Sequence, residues 1–201
     1  MQLLATSLWQ LLVEWDHSLF RMVNTGMANP VFDAIMPFMR DALHWLPLYV
    51  FVLSFVLINY GWKGVWWIVF FAVTISLCDM TGTRLLKYTV MRTRPCNNPE
   101  FWGHLRLLVT CPIGYSFTSN HAANHFGMAI FFFISFRRVI GSWVWLAVLW
   151  AAMIAFAQVY VGIHYPADVA GGFLLGLIYG SFTGWFFNKH FGLPARLPVP
   201  H

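Results

Sequence analysis

Five apolar stretches dominate the chain, at about residues 45–60, 63–86, 119–136, 142–162 and 167–187. Each reads as a helix able to cross a hydrocarbon layer about 30 Å thick, although several fall short of the roughly 20 residues that such a crossing takes. Residues 30–44 form a candidate sixth helix, and Asp33, Arg40 and Asp41 mark it as partly interfacial. The expected fold is therefore all-α, a polytopic bundle of five to six spans.

Composition supports this reading. Hydrophobic residues make up 59% of the 201 positions and charged residues only 9%, far below the roughly 25% of a soluble domain. The net charge of +5 does not point to nucleic acid, because the basic residues cap apolar segments and form no basic face. At segment ends, Lys and Arg set topology, anchor to head groups or bind anions.

The first residues lack the basic, apolar and small-residue sequence of a cleaved signal peptide, so insertion is expected to use uncleaved spans. Leu3, Leu4, Leu8, Leu11 and Leu12 alternate with Gln10, Glu14, Asp16 and His17, the pattern of an amphipathic helix lying in the membrane surface. No linker or repeat divides the chain, so one domain is expected over 1–201. Within it, 1–28 is read as the interfacial helix, 45–188 as the bundle and 189–201 as a tail.

If the segments cross in turn, residues 87–118 and 163–168 share one side. Lys63, Arg137, Arg138 and Lys189 lie on the other, which reads as cytoplasmic. Cys96 and Cys111 bracket the 87–118 loop and read as a disulfide, the alternative being two thiols. A bridge would restrain the loop by about 3 kcal/mol and would require an oxidising compartment. Glycines at 172, 176, 180 and 184 recur every four residues, a small-residue ridge for close helix packing.

Three polar clusters fall on the loop side. In KYTVMRTRP, Lys87 and Arg94 are seven residues apart and would share a helix side; the plain alternative is two snorkelling anchors, the role expected of Arg84 and Arg92. In FTSNHAANH, Ser119 is placed to cap a helix whose N-terminus attracts anions, with His121 beside it. His125 follows one turn later. The H-x3-H spacing admits a metal, but no further ligand group accompanies it, so His125 reads as packed or hydrogen-bonded. In QVYVGIHYPADVAGG, Asp168 is spaced to accept a hydrogen bond from one nitrogen of His164. That would leave the other nitrogen free to attack.

These stretches resemble the signature of the type 2 phosphatidic-acid phosphatase superfamily, which includes vanadium haloperoxidases: K-x6-R-P, P-S-G-H and S-R-x5-H-x3-D. Lys87, Arg94 and Pro95 match the first motif. Ser119 and His121 match the second, with Thr118 and Asn120 replacing Pro and Gly. His164 and Asp168 match the third, with Ala157 and Gln158 replacing Ser and Arg. The resemblance implies a metal-independent hydrolase without a cofactor, acting on lipid phosphates or pyrophosphates such as undecaprenyl pyrophosphate, phosphatidylglycerol phosphate, phosphatidic acid or lipid A phosphate. It further implies His164 as nucleophile supported by Asp168, and His121 as acid and base. Lys87, Arg94, Ser119, Asn120 and Gln158 would be the phosphate ligands.

Gln158 stands where the pattern has a bidentate, charged grip on phosphate. That departure makes a weakened lipid-phosphate binding protein one alternative; a lipid phosphotransferase, in which another lipid or sugar hydroxyl replaces water, is the other. The expected setting is a bacterial inner membrane with the site facing the periplasm, and the expected partners are membrane lipids and the substrate.

Overall fold

A computed structural model describes residues 8–194 as helices joined by turns and one long loop. No strand occurs among the described residues. Leu3, Leu4 and the end of the tail lie outside them. α1 spans Leu8–Arg21. Leu8, Trp9, Leu12 and Trp15 on it are exposed, while Asp16 and Phe20 are buried.

α2 spans Pro30–Arg40 and is capped by Asn29, whose side chain accepts from the Phe32 N–H at 2.9 Å. Its eleven residues make a rod of about 16 Å, too short for a hydrocarbon core of about 30 Å. Met36 and Met39 instead bury against Ile154, Ala157 and Tyr160.

α3 spans Leu46–Met80 but breaks at Gly61, where φ is 51° and ψ is −123°. That left-handed conformation suits a residue without Cβ. A Cβ placed on Gly64 would lie 2.4 Å from the Val56 carbonyl oxygen, so the chain reverses and α3 is a helical hairpin. The outgoing arm ends in a wider π turn at Thr81–Leu86 and the short α4, Lys87–Val90.

α5 (Asn120–Ile140), α6 (Trp145–Tyr160) and α7 (Pro166–His190) complete the bundle. Among the described residues, three helical stretches, Ala42–Phe101, Asn120–Tyr160 and Pro166–His190, are long and apolar enough to cross a membrane. The protein is an integral membrane protein built on helices.

α5 and α7 run side by side, and the glycine ridge lies at their contact. A Cβ on Gly172 would meet the Ser119 carbonyl oxygen at 2.6 Å, and one on Gly176 would meet the Gly127 nitrogen at the same distance. Away from the loops, Trp67, Phe131, Phe136 and Phe187 fill the core, with Trp67 Nε1 donating to Ser135 Oγ at 2.8 Å.

At the opposite end, the 91–119 loop folds over the bundle. Cys96 and Cys111 are joined in a disulfide with Cα atoms 6.0 Å apart. Arg106 pairs with Asp33 at 2.6 Å, and the Tyr160 hydroxyl donates to the same carboxylate at 2.6 Å. These two partners hold the Asp33 carboxyl below its ordinary range.

Candidate active site

The turn between α6 and α7 places His164. Its backbone N–H donates to the Gln158 carbonyl at 3.3 Å, and Pro166 then opens α7, where its missing N–H costs nothing. The imidazole is only 3% exposed. Nδ1 faces Asp168 Oδ2 at 3.4 Å and Ser116 Oγ at 3.4 Å, while Nε2 lies 3.0 Å from the Arg94 guanidinium. Burial pushes the imidazole below its ordinary value, and the Asp168 carboxylate only partly opposes this. Because the Arg94 guanidinium can only donate, Nε2 presents its lone pair toward it.

Asp168 is held more firmly than a simple His–Asp pair. It has no exposed surface, accepts from the Tyr165 N–H at 2.8 Å and from the Ser116 hydroxyl, and pairs with Arg92 at 2.8 Å. Arg92 also pairs with Asp16 of α1, which accepts from the Ala167 N–H at 2.7 Å. The guanidinium stacks 3.9 Å from the centre of the Tyr165 ring. Arg92 is thus no surface anchor, contrary to the expectation from its place at a segment end. A buried carboxylate needs a compensating charge, and Arg92 supplies it. The polar face of α1 docks on this end of the bundle.

Lys87 and Arg94 come together, but not by helical spacing. α4 stops at Val90 and Met91 takes a left-handed conformation, φ 50°, so Arg94 stands on extended backbone. Its Nε donates to the Gly114 carbonyl at 3.0 Å and its Nη1 to the Ile163 carbonyl at 3.1 Å. Half-buried Lys87 lies within coulombic reach of Arg94, Asp79 and Asp168.

Ser119 caps α5, accepting from the Ala122 N–H at 3.4 Å, and its own N–H donates to the Asp168 carbonyl at 3.0 Å. The start of α5, where unpaired N–H groups attract anions, is thereby tied to the start of α7. The Asn120 side chain turns away toward Asp79, at 2.8 Å, and Thr83. Its backbone is what remains for a ligand.

His121 occupies the first turn of α5, within coulombic reach of Lys87 and His164. His125 is fixed by neighbours: Nδ1 donates to the His121 carbonyl at 2.7 Å, so Nε2 accepts from the Tyr49 hydroxyl at 3.0 Å. Gln158, the expected phosphate contact from α6, is enclosed. Its side chain has no exposed surface and both its polar atoms lack partners, while its backbone carbonyl braces the His164 turn.

Ser116, Arg92 and Asp16 have no marking in the sequence. Each reaches the site through a loop or from a remote helix, and no fixed spacing to the motifs could have found them. Below the site, a cavity of about 370 Å³ opens between the first arm of α3, α5 and α6, lined by Leu48, Val52, Met128, Phe132, Leu146 and Trp150. Tyr49, the partner of His125, stands on its wall.

Residues 64–191 match the family model of the PAP2 superfamily. The chain is 35% identical over 187 residues to a lipid A 4'-phosphatase of Bacteroides thetaiotaomicron, a match covering 87% of this chain and 79% of that protein. It is 30% identical over 171 residues to an undecaprenyl-diphosphatase of Sulfolobus acidocaldarius, covering 82% and 74%. Among solved structures, a transmembrane PAP2 type phosphatidylglycerolphosphate phosphatase from Bacillus subtilis superposes with a TM-score of 0.65 at 22% identity. That superposition covers 90% of this chain and 88% of that one.

Proposed function

Because the chain belongs to the PAP2 superfamily, we propose that it is a membrane phosphatase that hydrolyses a lipid phosphate or pyrophosphate through a phosphohistidine on His164. The observation that carries this reading is the orientation of that ring. Nδ1 is directed at a buried, charge-compensated carboxylate, and Nε2 at a guanidinium 3.0 Å away.

In attack the phosphoryl group takes the place of the Arg94 contact against Nε2, and the displaced guanidinium grips the phosphoryl oxygens instead. His164 Nε2 forms the bond to phosphorus as the bond to the leaving oxygen breaks, and His121 donates the proton that oxygen needs. Water, deprotonated by His121, then displaces the phosphoryl group from His164 and releases inorganic phosphate. Arg94, Lys87, the Ser119 end of α5 and the Asn120 backbone hold the charge that develops on phosphate.

The apolar cavity supports an acyl or prenyl tail lying among α3, α5 and α6 beneath the head group. The disulfide supports an oxidising face for the site, in bacteria the periplasmic side of the inner membrane. We read the two arms of α3 with α5, α6 and α7 as five crossings, α2 as a short interfacial helix and α1 as lying in the membrane surface.

The test is phosphate release in detergent from lipid A, undecaprenyl pyrophosphate, phosphatidylglycerol phosphate and phosphatidic acid, comparing wild type with His164→Ala. The lipid A relative puts that substrate first. Equal release by wild type and variant would sink the assignment of His164.

A further inference from the structure

One more cation than the motifs account for acts on the site residues. Arg40 ends α2, and its guanidinium lies within coulombic reach of both His121 and Arg94. Its approach is set by packing: Met36 and Met39 bury against Ile154, Ala157 and Ile163, neighbours of Gln158 and His164 in the chain. The Trp45 indole N–H, donating to the Met39 carbonyl at 2.9 Å, fixes the end of α2.

Arg40 is poorly compensated. Its Nε atom has neither exposed surface nor a hydrogen-bond partner, and no ion pair forms to it among the described residues. Asp41, next in the chain, is the carboxylate that acts on it, and burial outweighs that help and holds the guanidinium below its ordinary value. A partly buried cation within coulombic reach of a second arginine is unfavourable unless an anion joins them. By contrast, Arg92 pairs with Asp16 and Asp168 and Arg106 with Asp33, while Arg94 donates to the Gly114 and Ile163 carbonyls.

We propose that Arg40 is a direct ligand of the phosphoryl group being transferred, supplying from α2 the charge that Gln158 does not supply from α6. This assignment rests on the phosphatase reading above. It places Lys87 and Arg40 as separate contacts around a phosphate whose third cation is Arg94. Arg40 lies toward His121, the leaving-group side. A planar fork with several donors suits two phosphate oxygens at once. Gln158, neutral and enclosed, remains beneath the His164 turn.

The experiment compares Arg40→Gln, Arg40→Lys, His164→Ala and the exposed control Arg84→Ala in detergent. It measures melting temperature, kcat/KM on a lipid monophosphate and a lipid diphosphate, and inhibition by orthovanadate. Loss of one charge-assisted grip predicts that Arg40→Gln lowers kcat/KM roughly tenfold to hundredfold on both substrates and weakens vanadate inhibition to a similar degree. Arg40→Lys should lie between Arg40→Gln and wild type, and Arg84→Ala should match wild type. Should Arg40→Gln fail to fold, Arg40→Lys carries the same comparison. Wild-type turnover and vanadate inhibition in a folded Arg40 variant, with His164→Ala inactive, overturn the proposal. A loss confined to the diphosphate also overturns it, since it would put Arg40 on the second phosphate. Turnover by His164→Ala would instead bring down the nucleophile reading, while the vanadate comparison still reports on Arg40.

Discussion

The two sides of α5 are built for opposite purposes. Toward α7 the helices are nearly in backbone contact, because Gly172, Gly176 and Gly180 leave no room for a Cβ against Ser119, Gly127 and Ala123. Toward α3 and α6 the same helix lines a cavity of about 370 Å³ with Met128 and Phe132. The tight side locks Ser119 and His121, at the start of α5, to Asp168, at the start of α7. The open side leaves room for a hydrocarbon tail directly below. One helix thus borders a closely packed polar end on one side and an apolar cavity on the other.

Breaking the tight side should have the largest effect. Gly176→Leu would force a side chain against the Gly127 nitrogen and the Ala123 carbonyl oxygen, 2.6 and 2.7 Å from its Cβ. Helix separation is expected to destabilise the protein by more than about 4 kcal/mol and to abolish phosphate release. Wild-type melting in detergent would refute the account of the seam.

At the end of that seam, Asp168→Asn removes the carboxylate that faces His164 and compensates Arg92. Phosphate release is expected to fall by about a thousandfold or more, with a lower melting temperature because Arg92 loses a partner. A loss under tenfold would show that Asp168 positions the turn without supporting the imidazole.

On the open side, Ala147→Phe would intrude on the cavity, which Ala147 lines. The KM for a long-chain lipid phosphate should rise about tenfold, while a short-chain soluble phosphate ester is hydrolysed as by wild type, since one bulky group in an apolar pocket is worth roughly 1–3 kcal/mol. An equal change on both substrates would detach the cavity from tail binding.

The mildest test is pH. Burial holds the His164 imidazole below its ordinary value, so the neutral form persists into mild acid and is lost as pH falls further. The acid limb of kcat/KM should have its midpoint below about 6.5. A midpoint above that would mean that Asp168 and not burial governs the ring.

Much of this fold was legible in the chain. The five apolar stretches correspond to the arms of α3 and to α5, α6 and α7, because hydrophobic runs of that length and the glycine ridge are local patterns. Ser119, His121, His164 and Asp168 were legible for a related reason: each lies at the start of a helix or in the turn before one, where spacing alone sets proximity. Lys87 and Arg94 do come within coulombic reach of each other, but not by helical spacing, since Met91 ends the helix between them.

The sequence by itself determined a lipid-embedded helical bundle and the identity of its chemical groups, since composition sets the solvent and short spacings set helix ends. Only the tertiary structure decided which charges meet. It turned Arg92 inward to Asp16 and Asp168, set Ser116 on the same carboxylate, and carried Arg40 from α2 to His121 and Arg94. Those partners are separated by tens of residues, and a buried charge takes its partner from whatever the packing brings close, not from its neighbours in the chain.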